Sequence, residues 1–238
     1  MTQLALDLLQ PLQPSLDNFV AGRNAEALAA LRSLAQGRSA ERIVYLWGTQ
    51  GSGRSHLLAA LAALPATFRW DPELAPETPG VALVDDIERL DAAAQIALFN
   101  RLNGVRANER CACVMAGASA PALLALREDL RTRVGWGHIY QLHPLTDVEK
   151  TDALKEHAKS RGVRIDEDVF PFLLNQLPRD MRTLVAALDA LDSWALERKR
   201  ALTLSLAREW VASGQATDKG DARKDRKTTG DGDRGGQT

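Results

Sequence analysis

The sequence predicts an α/β protein in which a parallel sheet is sandwiched by helices and followed by a small all-helical domain. Three observations support this fold class. Short runs rich in β-branched and aromatic residues alternate with helical patterns as far as residue 142, and no strand pattern follows residue 146. A glycine-rich loop joins the first strand to a helix. Such alternation is typical of parallel sheets covered by helices.

Five segments have the composition of strands, namely residues 42–47, 67–70, 80–84, 111–116 and 138–142. The segments at 80–84 and 111–116 are apolar nearly throughout, as strands buried on both faces are. Two helices are predicted between the strands, at 54–64 and at 91–107, the second with Asp91 as its N-cap. Further along the chain, helices are predicted at 146–160, 166–177, 179–198 and 203–212.

These patterns divide the chain into four parts. We expect a short N-terminal peptide at 1–10, an α/β nucleotide-binding domain at 11–144, a helical domain at 145–213 and a polar tail at 214–238. The tail has too few apolar residues to offset the entropy of ordering, so it is predicted to be disordered. A tail without function is its simpler interpretation.

Composition excludes several classes of protein. The net charge of -1 provides no general basic field for binding DNA or an anionic membrane. Two cysteines cannot staple a secreted scaffold and fit a reducing compartment. No apolar stretch approaches the roughly 20 residues of a membrane span, and no signal peptide is recognisable. The sequence therefore predicts a cytoplasmic protein that does not bind membranes.

The loop at residues 48–55 has the pattern of a phosphate-binding loop (P-loop), except that Arg54 replaces the usual lysine. Such a loop directs backbone N–H groups and a helix N-terminus at one anion. The residues predicted to bind ADP or ATP are Gly48, Gln50, Gly51, Ser52, Gly53, Arg54, Ser55 and His56. Ser55 is also a predicted Mg²⁺ ligand, and His56 is expected to pack near the nucleotide without doing chemistry. The alternative is a glycine-rich turn without a ligand.

An acidic pair ends the strand at 80–84. Asp85 is predicted to hold Mg²⁺ through water and to contact the nucleotide site, and Asp86 to position the attacking water. The alternative is that the pair only begins a solvated loop. The two cysteines, Cys111 and Cys113, alternate along one face of a buried strand, and core packing is their preferred interpretation over metal binding.

Four segments, DNFVAG (17–22), GTQGSGRSHL (48–57), LVDDI (83–87) and RVGWG (133–137), resemble the AAA+ ATPases of the bacterial initiator family DnaA. Three further segments, RSHLL (54–58), WGHIYQL (136–142) and DMRTL (180–184), are more similar to the short relatives that form the Hda family. The resemblance covers nearly all of residues 3–212. It implies an AAA+ P-loop domain followed by a helical lid.

The resemblance also implies roles for two arginines. Arg133 matches the arginine finger, which stabilises charge on a neighbouring subunit's nucleotide and is worth roughly 10³–10⁵ in rate in well-studied phosphoryl transfers. Without the resemblance, a surface arginine on a solvated turn is the preferred interpretation. Arg182 matches the lid arginine that reaches bound nucleotide, and its neighbour Arg179 is the alternative.

A third site implied by the resemblance is a clamp-binding peptide within residues 1–10. Gln3, Leu4, Leu6 and Leu8 are similar to the motif by which replication proteins bind the sliding clamp, the β subunit of DNA polymerase III. In such a peptide glutamine gives orienting hydrogen bonds while leucines fill an apolar pocket. The alternative is the frayed start of an amphipathic helix.

Two departures from the family pattern bear on hydrolysis. Arg54 is wider than lysine, and Ala118 stands near the position of a polar sensor residue, although Ser119 follows it. We therefore expect a protein that holds ADP or ATP as a conformational cofactor and is not an efficient ATPase itself.

The function implied by the resemblance is negative regulation of replication initiation. The chain would bind the DNA-loaded clamp, and so reach DNA only indirectly, and offer Arg133 to ATP on the initiator DnaA near the nucleoid and replisome. Direct sequence-specific DNA binding is not expected, because only the polar tail follows the lid. Three alternatives stay open: an AAA+ ATPase that remodels or loads a replication partner, a non-catalytic adaptor, and a truncated initiator. Whether the chain forms a homodimer or a higher oligomer is also open.

Overall fold

The computed structural model describes residues 13–214. Its five strands are β1 (Ile43–Trp47), β2 (Thr67–Arg69), β3 (Gly80–Val84), β4 (Cys111–Gly117) and β5 (His138–Gln141). Its helices are α1 (Ala25–Ala35), α2 (Arg54–Ala62), α3 (Ala92–Ala107), α4 (Glu128–Val134), α5 (Asp147–Ser160), α6 (Val169–Gln176), α7 (Met181–Glu197) and α8 (Leu204–Ala212). The residues form two compact units that divide between Ala153 and Leu154.

The first unit is built on one parallel sheet. Its strand order is β2-β3-β4-β1-β5, and each neighbouring pair is parallel. After β1 the chain passes through α2 and returns as β2 at the far edge of the sheet. Because all strands are parallel, the carboxyl ends of β1, β3 and β4 lie at the same edge. Ligands of open α/β sheets bind at this edge, where the strand order reverses. The predicted parallel sheet between helices is confirmed.

Alternating side chains of β1 and β4 build two hydrophobic layers. Val44, Leu46 and Val114 pack on the face covered by α1 and α2. Tyr45 and Cys113 pack on the opposite face, covered by α3 and α4. This alternation follows from the period of two in a strand. Cys111 and Cys113 are both buried, which confirms their assignment to the core, and burial raises the pKa of the Cys113 thiol to about 12.

The second unit is helical and has a core of its own. Its buried residues come from the end of α5 and from α6, α7 and α8, and include Leu173, Leu191 and Trp210. Side chains define where two of the helices begin. Asp180 accepts a hydrogen bond from the Thr183 N–H at 2.9 Å, and Thr203 accepts one from the Leu206 N–H at 3.4 Å. Such N-caps satisfy donors that a helix leaves unpaired.

The sequence patterns did not predict α1 and α4. The side chain of Asn24, at the N-cap of α1, does not cap it but exchanges two 2.8 Å hydrogen bonds with the backbone of His143. Helix α4 is seven residues long and begins after Arg127, which provides no side-chain cap. Neither helix has a side-chain cap hydrogen bond at its start, although acidic residues lie in the first turn of each. The predicted N-cap at Asp91 is confirmed by a 2.8 Å bond from the Ala94 N–H.

One buried arginine stabilises the segment between β2 and β3. Arg101 in α3 is 1% exposed, and its guanidinium donates to the backbone carbonyls of Pro76, Thr78, Gly80 and Ala112 over 2.5–3.1 Å. It has no carboxylate partner among residues 13–214.

None of the helices in residues 13–214 combines the length and the apolar character that a membrane-spanning helix requires.

Candidate functional site

The P-loop lies between β1 and α2, as the sequence predicted. Gly51 and Gly53 have φ angles of +82° and +97°, in the region that glycine adopts without steric cost. A Cβ atom at Gly53 would lie 2.6 Å from Cε2 of Phe19, and one at Gly48 would lie 2.4 Å from the carbonyl oxygen of Leu142. A residue with a Cβ atom would be crowded at Gly48 and Gly53, and strained by the positive φ at Gly51 and Gly53.

Two polar groups of the P-loop are buried without a hydrogen-bond partner among the described residues. They are the Ser52 hydroxyl and Nη1 of Arg54. The nearest counter-charge recorded for Arg54 is Oδ1 of Asp86, 3.9 Å from Nη1. A buried polar group without a partner costs about 1–3 kcal/mol, so a ligand or water that bonds to these two groups would stabilise the loop. A buried hydroxyl and a buried guanidinium nitrogen, in a glycine-rich loop at a helix N-terminus, fit an anion such as a phosphate chain.

The acidic pair follows β3 directly. Asp85 is exposed, and its Oδ1 accepts a hydrogen bond from the Asp86 N–H at 3.0 Å. Asp86 has a φ of +46°, a left-handed conformation that is uncommon for residues other than glycine. Its carboxylate also lies 3.4 Å from Nη1 of Arg89. Asp86 thus balances the charges of Arg54 and Arg89, a structural role that the sequence did not predict.

A glutamate occupies the region where a sensor side chain was expected. Oε1 of Glu88 accepts a hydrogen bond from the Ala118 N–H at 3.0 Å, while Oε2 is buried without a hydrogen-bond partner in residues 13–214. The Tyr45 hydroxyl donates to the Ser119 carbonyl at 2.6 Å. Burial raises the pKa of Tyr45, and the Glu88 charge raises it further. Sequence patterns missed Glu88 because only the fold brings it to Ala118.

The segment at 15–22 packs against the start of α2. The Phe19 ring lies 5.4 Å from the His56 ring, and Nε2 of His56 is 3.1 Å from the Ser15 carbonyl oxygen. Two of the segments that resemble DnaA, DNFVAG (17–22) and the P-loop, are therefore neighbours in the fold. His56 therefore contacts the segment preceding α1, and its predicted nucleotide contact stays a prediction.

A cavity of about 350 Å³ opens between the start of α2 and the end of β3. It is lined by both predicted magnesium ligands, Ser55 and Asp85, and by side chains of α2 and β2 that include Arg69. Within residues 13–214, no group of three or more His, Cys, Asp or Glu side chains forms a ready metal site. A hydroxyl, one carboxylate and phosphate oxygens are a set that Mg²⁺ accepts together with water.

Arg133 lies near the end of α4, and its side-chain contacts do not include P-loop residues. Its Nε donates to Oδ1 of Asn103 at 2.9 Å. Its Cζ is 3.6 Å from the ring centroid of Trp136 and 5.0 Å from that of Phe99. Sequence patterns could not predict these contacts, because two of the three partners, Phe99 and Asn103, belong to α3.

The remaining predicted residues are placed less completely. Arg182 is in the first turn of α7, in the second unit, and its contact with nucleotide stays a prediction. The predicted clamp-binding residues Gln3, Leu4, Leu6 and Leu8 lie outside the described residues.

The sequence and the fold are similar to those of known proteins. The family model described as "Hda, lid domain" matches residues 147–211. Domain III of the replication initiation protein DnaA from Thermotoga maritima has 18% sequence identity and a TM-score of 0.65, over 85% of this chain and 97% of that one.

Two further solved structures show the same fold. AMPPCP-bound DnaA from Aquifex aeolicus has 19% identity and a TM-score of 0.60, over 81% of this chain and 71% of that one. The Holliday junction branch migration motor RuvB of Thermotoga maritima has 19% identity and a TM-score of 0.61, over 86% and 73% of the two chains. The chain thus shares the fold of these DnaA and RuvB structures.

Proposed function

We propose that this chain is an Hda-like negative regulator of replication initiation, because residues 147–211 match the Hda lid model and the fold is similar to that of DnaA. In this proposal it promotes hydrolysis of ATP bound to the initiator DnaA, which leaves the initiator in its inactive ADP form. The observation that carries the proposal is the surrounding of Arg133. Its recorded side-chain contacts are Asn103, Phe99 and Trp136, none of which belongs to the P-loop. A finger placed in this way suits a nucleotide on another molecule.

The chain's own nucleotide acts as a conformational cofactor in this proposal. The P-loop residues Gly48 to Ser55, with Gln50 and His56 among the contacts, hold ADP or ATP, and the buried Ser52 hydroxyl and Arg54 guanidinium support this. The AMPPCP bound by the Aquifex aeolicus relative also supports an adenine nucleotide. Ser55 and Asp85 hold Mg²⁺ with it, and Asp86 is available to orient water. Arg182 reaches the nucleotide from the lid and couples its state to the lid.

Efficient hydrolysis of this nucleotide is not expected. Arg54 replaces the usual lysine, Ala118 has no polar side chain, and the Ala118 N–H is already bound by Glu88. The Asp86 carboxylate lies near both Arg54 and Arg89. Appreciable ATP turnover by the isolated chain would instead favour a self-contained ATPase that remodels or loads a replication partner.

The N-terminal peptide provides the connection to replication. Gln3, Leu4, Leu6 and Leu8 bind the sliding clamp, so the chain collects where clamps remain on replicated DNA. Tethering raises the local concentration of Arg133 around the initiator without a new contact. DNA is reached only through the clamp, and the regulator acts after replication has begun.

The test uses the initiator preloaded with labelled ATP. Addition of the wild-type chain with clamp-loaded DNA is expected to accelerate the conversion of labelled ATP to ADP. The same chain without the clamp is expected to give much less acceleration. A variant with both Leu4→Ser and Leu8→Ser should behave with the clamp as the wild type does without it. No acceleration by the wild type under any of these conditions would reject the regulatory function.

A further inference from the structure

The finger Arg133 is held by groups that carry no charge. Its Nε donates to the amide oxygen of Asn103 at 2.9 Å. Within residues 13–214 no carboxylate forms an ion pair with it, although other arginines on the surface have one, as Arg127 has with Asp129 at 2.8 Å. A neutral acceptor orients the guanidinium and leaves its positive charge undiminished, whereas a carboxylate would neutralise the charge that a finger must deliver.

Aromatic rings restrict the same group from its faces. The Trp136 centroid is 3.6 Å from Cζ and the Phe99 centroid is 5.0 Å from it. Both distances are within the range of cation–π attraction. The two rings and the hydrogen bond from Nε to Asn103 contact different parts of the guanidinium. Together they restrict its orientation.

The two terminal nitrogens of the Arg133 guanidinium, Nη1 and Nη2, remain available for a ligand. Among the described residues, the Nη1 and Nη2 groups of Arg133 make no hydrogen bond. These are the donors with which arginine binds two oxygens of one phosphate. Arg106 adds a second positive charge to the same surface, with its Cζ 4.4 Å from the Trp136 centroid. The surface is complementary to an anion with several charges, as a polyphosphate is.

From this geometry we infer that Asn103 is a positioning residue for Arg133, assisted by Phe99 and Trp136. Asn103 holds the guanidinium so that its two Nη groups face the phosphates of a nucleotide on the partner molecule. The inference rests on the proposed function, because it assigns a role in presenting the same finger. It concerns the rate once the partner is bound, not the binding itself.

The first test separates rate from binding. Stimulated hydrolysis of ATP on the initiator is measured over a range of concentrations of wild type, Asn103→Leu and Arg133→Ala, with Arg131→Ala as a control on the same helix. Asn103→Leu is expected to lower the maximal rate about tenfold, since small misplacement of a catalytic group is costly. The half-saturating concentration should stay within twofold. An unchanged maximal rate, or a change confined to the half-saturating concentration, would overturn the inference.

The second test observes the side chain directly in the nucleotide-loaded full chain. The Nε–H of Arg133, assigned by its loss in Arg133→Lys, should give a nuclear magnetic resonance signal protected from solvent exchange in the wild type and unprotected in Asn103→Leu. Protection that survives in Asn103→Leu would contradict the inference. If Asn103→Leu fails to fold, Asn103→Ala replaces it in both tests, and an unchanged maximal rate there has the same meaning.

The two tests distinguish the inference from the function beneath it. If Arg133→Ala abolishes stimulation while Asn103→Leu keeps the wild-type rate, the finger stands and the positioning role is wrong. If Arg133→Ala stimulates as the wild type does, the trans-acting finger itself is wrong, and the positioning role falls with it.

Discussion

Three arginines of this chain show that surroundings decide what the same side chain does. Arg101 is buried among backbone carbonyls and fastens a loop. Arg54 is mostly buried beside Asp86, and its Nη1 has no hydrogen-bond partner among the described residues. Arg133 lies on an aromatic surface with a neutral acceptor at its Nε. Each surrounding makes a different prediction for the loss of the guanidinium.

Loss of Arg101 is expected to destabilise the fold. Arg101→Met keeps most of the aliphatic volume but removes the donor of four backbone carbonyl groups, and we expect the free energy of unfolding to fall by about 3 kcal/mol or more. Urea unfolding followed by circular dichroism measures this change. Arg110→Met, at an exposed position, is the control. A loss below about 1 kcal/mol in Arg101→Met would contradict the assigned role.

Loss of Arg54 is expected to weaken nucleotide binding rather than folding. A hydrogen bond to a charged group contributes about 1.5–3 kcal/mol, so Arg54→Ala should lower the affinity for ADP by roughly 10- to 100-fold. Isothermal titration calorimetry with ADP and Mg²⁺ gives the affinity, and Arg110→Ala controls for the loss of one positive charge. An affinity equal to that of the wild type would show that Arg54 does not contact the phosphates.

At the scale of elements, the sequence predicted those whose signals are local. The strands have apolar or β-branched runs, the P-loop has its glycines, and Asp91 caps α3 as expected. Helix α1 was not predicted, and the role of Asn24 at its start is not local: its side chain binds the backbone of His143, a residue far away in the sequence. Helix boundaries also differ by up to three residues, as in α6, which begins at Val169 rather than at residue 166.

Helix α5 begins with reciprocal capping that makes its stability depend on pH. Glu149 accepts hydrogen bonds from the backbone N–H and the hydroxyl of Thr146 at 2.7 and 2.8 Å, and the Thr146 hydroxyl accepts one from the Glu149 N–H. The two bonds to the carboxylate lower the pKa of Glu149. The stabilisation is therefore present above the ordinary pKa of glutamate and is lost as the pH falls through the lower pKa of the folded state.

Glu149→Gln should accordingly lower the thermal unfolding midpoint at pH 7 but not at strongly acidic pH, where the wild-type carboxyl is protonated too. Differential scanning calorimetry at both pH values tests this. Glu156→Gln on the same helix is the control. An equal difference between wild type and Glu149→Gln at both pH values would show that the capping does not depend on the charge.

At the scale of the whole molecule, the order of elements was predictable and the surroundings of the site were not. The resemblance located Arg133 in the sequence, but Asn103 and Phe99 reach it from α3, which is distant along the chain. Glu88 reaches Ala118 in the same manner, across the carboxyl edge of the sheet. No local pattern encodes such pairs, because helix packing and strand order create them. The division at 144 and 145 and the role of Arg182 stay predictions.

The central claim is that Arg133 acts on a nucleotide held by another protein. The most direct measurement is single-turnover hydrolysis of labelled ATP on the initiator, with clamp-loaded DNA and an excess of wild type, Arg133→Ala or the control Arg131→Ala. Wild type and Arg131→Ala should hydrolyse the label at the same accelerated rate, and Arg133→Ala at the unstimulated rate. Acceleration by Arg133→Ala equal to that of the wild type would contradict the claim.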